Sequence, residues 1–139
     1  MDVRDLMIGD FIFSKGNEIH TVQGLDEDVN GRWWYYSPEH QSWCAVDEAK
    51  PIPLTPEILE KNGFTEVKTY YPYPTYECRE IEKCVIRIAF PQNSDKTKFN
   101  KTFYEIDSEW CFIEHINCEF VHELQHAPKL CGINKQIVL

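Results

Sequence analysis

The chain has 139 residues, a formal charge of −9 from 14 Lys and Arg against 23 Asp and Glu, and a composition that is 42 % hydrophobic and 14 % aromatic. This excludes a disordered chain and is enough apolar mass to pack a core. The acidic balance excludes a phosphate-backbone binder, whose affinity rests on clustered Lys and Arg that release counterions.

In chain order, the first fifty residues read as short strands. Leu6-Met7-Ile8-Gly9-Asp10-Phe11-Ile12-Phe13 is interrupted by its Gly-Asp pair, and Lys15-Gly16-Asn17 has turn chemistry. Ile19-His20-Thr21-Val22 alternates, and Asp26-Glu27-Asp28-Val29-Asn30-Gly31 reads as an acidic loop. Arg32-Trp33-Trp34-Tyr35-Tyr36-Ser37 and Trp43-Cys44-Ala45-Val46 add two strands, since aromatics suit a pleated surface. Short strands with tight turns predict a small SH3-like β-barrel over residues 1–50.

A stiff connector with Pro51 and Pro53 then leads to a punctuated helix. Thr55 is placed to cap the orphan amides, and Pro56 occupies the first helical position, where its missing N–H costs nothing. Leu54 and Leu59 hold the staple positions, while Gly63 and Phe64 provide the left-handed stop and its apolar contact.

Residues 51–139 therefore read as a second, α+β subdomain. Prolines in the Tyr- and Pro-rich residues 70–76 exclude a central strand there. Cys84-Val85-Ile86-Arg87-Ile88-Ala89-Phe90, Thr102-Phe103-Tyr104-Glu105-Ile106 and Trp110-Cys111-Phe112-Ile113-Glu114 predict a small antiparallel sheet. Val121, Leu124, Ala127 and Leu130 recur at helical spacing and predict a closing helix. Pro128 inside that pattern predicts a kink or a late start. The overall expectation is an α+β chain.

The six cysteines sit mostly among apolar neighbours, and no apolar stretch follows the polar opening Met1-Asp2-Val3-Arg4-Asp5. Reduced, buried thiols in a cytoplasmic protein are the expectation, not a disulfide framework. No run approaches the roughly 18 apolar residues of a membrane span.

His122-Glu123-Leu124-Gln125-His126 spells H-E-x-x-H. In a zinc hydrolase two imidazoles one turn apart hold Zn²⁺, and the intervening Glu acts as base on the bound water. On that reading His122 and His126 are ligands and Glu123 the base. Against it, the metzincin extension is missing, with Lys129 and Gly132 at its positions, and no acidic residue follows His126 to complete the set. An amphipathic helix whose His and Glu face solvent or its neighbours is the preferred reading, with no cofactor or metal expected. A looser structural site from Cys111, His115, Cys118, His122, His126 and Cys131 lacks the paired cysteine knuckle.

Trp33, Trp34, Tyr35 and Tyr36 place aromatics on both faces of one strand. One face lines a core, and the other is a seam against the rest of the chain or an exposed interaction surface. No Gly-rich phosphate loop and no nucleophile elbow occurs.

Three stretches carry a family resemblance: Leu6-Met7-Ile8-Gly9-Asp10-Phe11-Ile12, Ile52-Pro53-Leu54-Thr55-Pro56-Glu57-Ile58-Leu59-Glu60-Lys61-Asn62-Gly63-Phe64, and Phe120-Val121-His122-Glu123-Leu124-Gln125-His126. The chain resembles a group of small uncharacterised proteins of Bacteroidetes genomes and their phages or mobile elements. The group's middle motif reads I-P-L-T-E-E-hydrophobic-L-x-K-x-G-F, and its closing helix reads Y-V-H-x-L-Q-N/H. The resemblance implies a cytoplasmic accessory protein of phage or mobile-element origin. It also implies that H-E-x-x-H here is a coincidence of letters, because the second His position is often Asn in the group.

The expected function is a non-enzymatic protein-interaction module, with a protein partner or self-association and neither nucleic acid nor membrane as partner. The alternatives are the zinc-dependent hydrolase and an acidic DNA mimic that inhibits a nucleic-acid-binding protein. Acidity is concentrated early: residues 1–52 hold four basic and ten acidic groups.

Overall fold

Gly9, with φ +96°, turns the chain after Ile8 and donates its amide to the Val22 carbonyl at 2.7 Å, which aims the following residues into β1 (Phe11–Phe13). The structure is a computed structural model, and it describes residues 1–68, 74–81, 84–90, 103–108, 112–130 and 134–139. The chain divides into two compact units, Met1–Pro53 with Phe120–Cys131, and Leu54–Glu119 with Gly132–Leu139.

In the first unit, β1 pairs antiparallel with β2 (Ile19–Thr21) through a turn whose Asn17 stands at φ 61°. After β3 (Gly24–Glu27), β4 (Trp33–Ser37) and β5 (Ser42–Ala45), the chain returns to β1 as β6 (Lys50–Pro51). Two three-stranded sheets result, ordered β2-β1-β6 and β3-β4-β5. Leu6, Ile12, Val22, Tyr35, Val46 and Ala49 form their common buried core.

Among the described residues these strands do not close into the expected barrel. Closure would need continuous pairing from one sheet to the other, and β6 is two residues long and ends in a proline that has no ladder N–H. Asp26 and Glu27, expected at the start of an acidic loop, lie in β3. Its pairing to β4, Leu25 against Tyr35 and Asp26 against Trp34, makes it a strand despite its carboxylates.

The second unit opens with α1 (Pro56–Lys61), built as the sequence predicts. Thr55 Oγ1 accepts the Ile58 amide at 3.4 Å, and the Phe64 amide reaches back to the Leu59 carbonyl at 3.0 Å. Gly63 takes φ +81°, while Leu54, Leu59 and Phe64 are buried. A Cβ at that left-handed position is strained, so Gly63→Ala is expected to cost about 1 kcal/mol in chemical denaturation. A neutral result would remove the left-handed stop from the account of α1.

Five strands follow: β7 (Thr65–Val67), β8 (Thr75–Ile81), β9 (Cys84–Ala89), β10 (Phe103–Ser108) and β11 (Phe112–Asn117). They form one antiparallel meander in reverse sequence order, β11-β10-β9-β8-β7. The chain is thus α+β with small antiparallel sheets. Residues 70–73 of the Tyr- and Pro-rich segment lie outside the described residues; Thr75 and Tyr76 begin β8. Cys44, Cys78 and Cys118 carry reduced thiols, the last two fully buried.

The last helix, α2 (Val121–Leu130), belongs to the first unit, although the sequence groups it with the second. The Val121 amide donates to the Ile52 carbonyl at 2.9 Å, and Pro53 and Phe120 form an antiparallel bridge. The helix does not start late; Pro128 lies inside it and forfeits one backbone bond. Among the described residues, no helix is long and apolar enough to cross a membrane.

Candidate functional site

The aromatic strand β4 is sorted by register. Leu25, Trp33, Tyr35 and Cys44 share one face and pack in or against the core. The opposite face of the β3-β4-β5 sheet carries Asp26 beside Trp34 and Gly24 beside Tyr36, which in turn pairs with Trp43. Tyr36 and Trp43 meet edge to face at 5.6 Å, and the Trp43 ring lies so close over Gly24 that a Cβ there would stand 3.4 Å from it. Trp43 is 49 % exposed.

Trp34 is held in place by its own neighbours. Its indole N–H donates to Asp28 Oδ2 at 3.1 Å, and the Arg32 guanidinium sits 5.0 Å from its ring centre. Of the four aromatics singled out in the sequence, the structure thus assigns Trp33 and Tyr35 to the core side and Trp34 and Tyr36 to the outer side. Trp43, which completes the outer row, was missed as a binding residue because it lies on another strand.

The H-E-L-Q-H residues of α2 converge on the loop that enters β1. Asp10 is completely buried, accepts the Met7 amide at 2.7 Å and receives His126 Nε2 at 2.8 Å from both carboxylate oxygens. Gln125 accepts the Phe11 amide and donates to the Gly9 carbonyl, each at 2.9 Å. Glu123 Oε2 accepts the Phe120 amide at 3.0 Å, reaching back as the third helical residue of a capping box does.

His122 is buried and stacks on Phe120; burial, with the neighbouring His126, holds its pKa below the ordinary value against Glu123, Asp10 and Asp5. Among the described residues its Nδ1 has no hydrogen-bond partner. The rings of His122 and His126 are 5.8 Å apart at 73°, beside a cavity of about 380 Å³. The Nε2 of His126 is directed to Asp10, and the carboxylate of Glu123 to its own helix end. The motif clamps α2 to the residues before β1, a role that explains Gln125 as well as His126.

Of the looser Cys and His set, Cys111 and Cys131 lie outside the described residues. A different cluster, passed over in the sequence, brings Glu18, His20 and His40 within 4.8 Å of one another through their ligand atoms. Comparison with protein-family models, curated proteins and solved structures returned no match.

Proposed function

We propose that the protein is a non-enzymatic interaction module whose outer β3-β4-β5 face receives a basic, apolar segment of a partner protein. The observation that carries this reading is Trp43, half-exposed over Tyr36 and Gly24 on a sheet face that also bears Asp26. Large aromatics at the centre of a patch are the residues from which binding energy is drawn. The carboxylates of Asp26, which pairs with Trp34, and of Asp28, which accepts the Trp34 indole N–H, favour a cationic partner and disfavour an acidic one.

Within that reading the first unit is an open relative of the SH3-like barrel, supported by two small sheets around one core. The sequence resemblance adds that the module serves a phage or mobile element in the cytoplasm.

The test is a panel of fluorescent peptides of equal length, basic–apolar against acidic–apolar, titrated with the full chain. Basic–apolar peptides are expected to bind in a salt-sensitive manner, and Trp43→Ala to weaken them about tenfold, or about 1.4 kcal/mol. Equal binding of both peptide classes, or binding indifferent to Trp43→Ala, overturns the reading. Dimerisation of the chain that is lost in Trp43→Ala overturns the basic partner in favour of a second copy.

A further inference from the structure

His20 is only 3 % exposed, yet among the described residues its Nε2 has no hydrogen-bond partner. A buried polar atom left unmade costs about 1–3 kcal/mol, so its direction asks for a cause. The other ring nitrogen, Nδ1, lies 3.0 Å from the Tyr35 hydroxyl. That hydroxyl can accept a hydrogen bond from Nδ1, the tautomer that leaves a lone pair on Nε2.

The lone pair looks toward two further ligand types. Glu18 Oε2 is 4.0 Å from His20 Nε2 and 3.2 Å from His40 Nε2, and the two imidazole rings are centred 4.4 Å apart. Donors of a tetrahedral ion with bonds of about 2.0–2.1 Å stand about 3.3 Å apart. Glu18 and His40 already meet that spacing, and all three ligand atoms lie within 4.8 Å of one another. The movement still required falls on Glu18 and His40, whose side chains are 65 % and 44 % exposed.

Both outer residues are held by local structure. Glu18 closes a turn in which its carbonyl accepts the Ser14 amide at 2.8 Å and its amide donates to Ser14 Oγ at 3.2 Å. His40 follows Glu39, whose carboxylate accepts the Thr21 amide at 3.1 Å and the Ser37 hydroxyl at 2.8 Å. Glu39 thus ties the loop between β4 and β5 to β2, the strand that carries His20. Glu18, His20 and His40 also line one cavity of about 530 Å³, which gives an ion a way in.

We infer that Glu18, His20 and His40 form a binding site for one Zn²⁺-class ion, with Tyr35 orienting His20 and one coordination position left to solvent. Two imidazoles and a carboxylate suit a borderline ion, whereas Ca²⁺ and Mg²⁺ select all-oxygen sets. The site is separate from H-E-L-Q-H; its cavity is also lined by Trp34 and Trp43 of the proposed docking face, but none of its three ligands belongs to that face.

The experiment is a calorimetric titration of the chelator-stripped full chain with ZnCl₂ under reducing conditions. One Zn²⁺ per chain is expected, with affinity reduced about tenfold or more by His40→Ala and by Glu18→Gln, and about tenfold by Tyr35→Phe. Circular dichroism without metal is expected to match the parent for the two exposed variants. His126→Ala is expected to leave the affinity unchanged. Absence of binding, binding indifferent to both His40→Ala and Glu18→Gln, or binding lost in His126→Ala instead, overturns the inference.

Discussion

Asp10→Ala is expected to destabilise the first unit by about 3 kcal/mol, measured by denaturant unfolding. The carboxylate is fully buried and holds the Met7 amide and His126 Nε2. Its removal takes the acceptor from the Met7 amide and leaves the imidazole facing a cavity. His126→Ala is expected to cost less, about 1.5 kcal/mol, because His126 is partly exposed and Asp10 keeps the Met7 amide. The double variant should then show a coupling of about 1 kcal/mol or more between two side chains 116 positions apart. Additive losses, or an Asp10→Ala cost within about 0.5 kcal/mol, would remove the clamp.

Asn62→Ala is expected to cost about 2–3 kcal/mol in the second unit. Asn62 is buried after α1, and its amide group bridges two backbone segments. Nδ2 donates to the Ile58 carbonyl at 2.7 Å and the Val138 carbonyl at 2.8 Å, while Oδ1 accepts the Val138 amide at 2.8 Å. Asn62→Asp separates hydrogen bonding from size, since a carboxylate must place an acceptor against one or both carbonyls. It is expected to be at least as damaging as Asn62→Ala. Hydrogen exchange at the Val138 amide should accelerate in both variants, and unchanged protection there would contradict the bridge.

Much of the local structure was legible because its causes are local. The helix Pro56–Lys61 follows from Thr55, Pro56 and Gly63, each acting within a few residues. The strands around Ile12, His20, Tyr35 and Cys44 follow from alternation and aromatic content, and lie within a few residues of where the pattern puts them. β3 was not legible, because a strand with Asp26 and Glu27 is chosen by its neighbour β4 and not by its own propensity.

The candidate sites divide in the same way. Alternation alone separates Trp33 and Tyr35 from Trp34 and Tyr36. It does not reveal that Trp43 joins the second pair, which needs the register between β4 and β5. Alternation in Ile19-His20-Thr21-Val22 predicts the strand, but the burial of His20 and its unsatisfied Nε2 beside Glu18 and His40 exist only once the β4–β5 loop is folded over β2.

The H-E-L-Q-H letters show the reverse case. The sequence by itself determined an α+β chain, a capped first helix, an acidic first half and a two-faced aromatic strand, all set by short-range sterics and by side-chain period. The tertiary structure decided that the early strands form two open sheets, that the last helix joins the first unit, and that His126 answers Asp10. Those outcomes depend on pairing between distant segments, where the free energy of a buried carboxylate or a strand edge is settled by whichever partner reaches it.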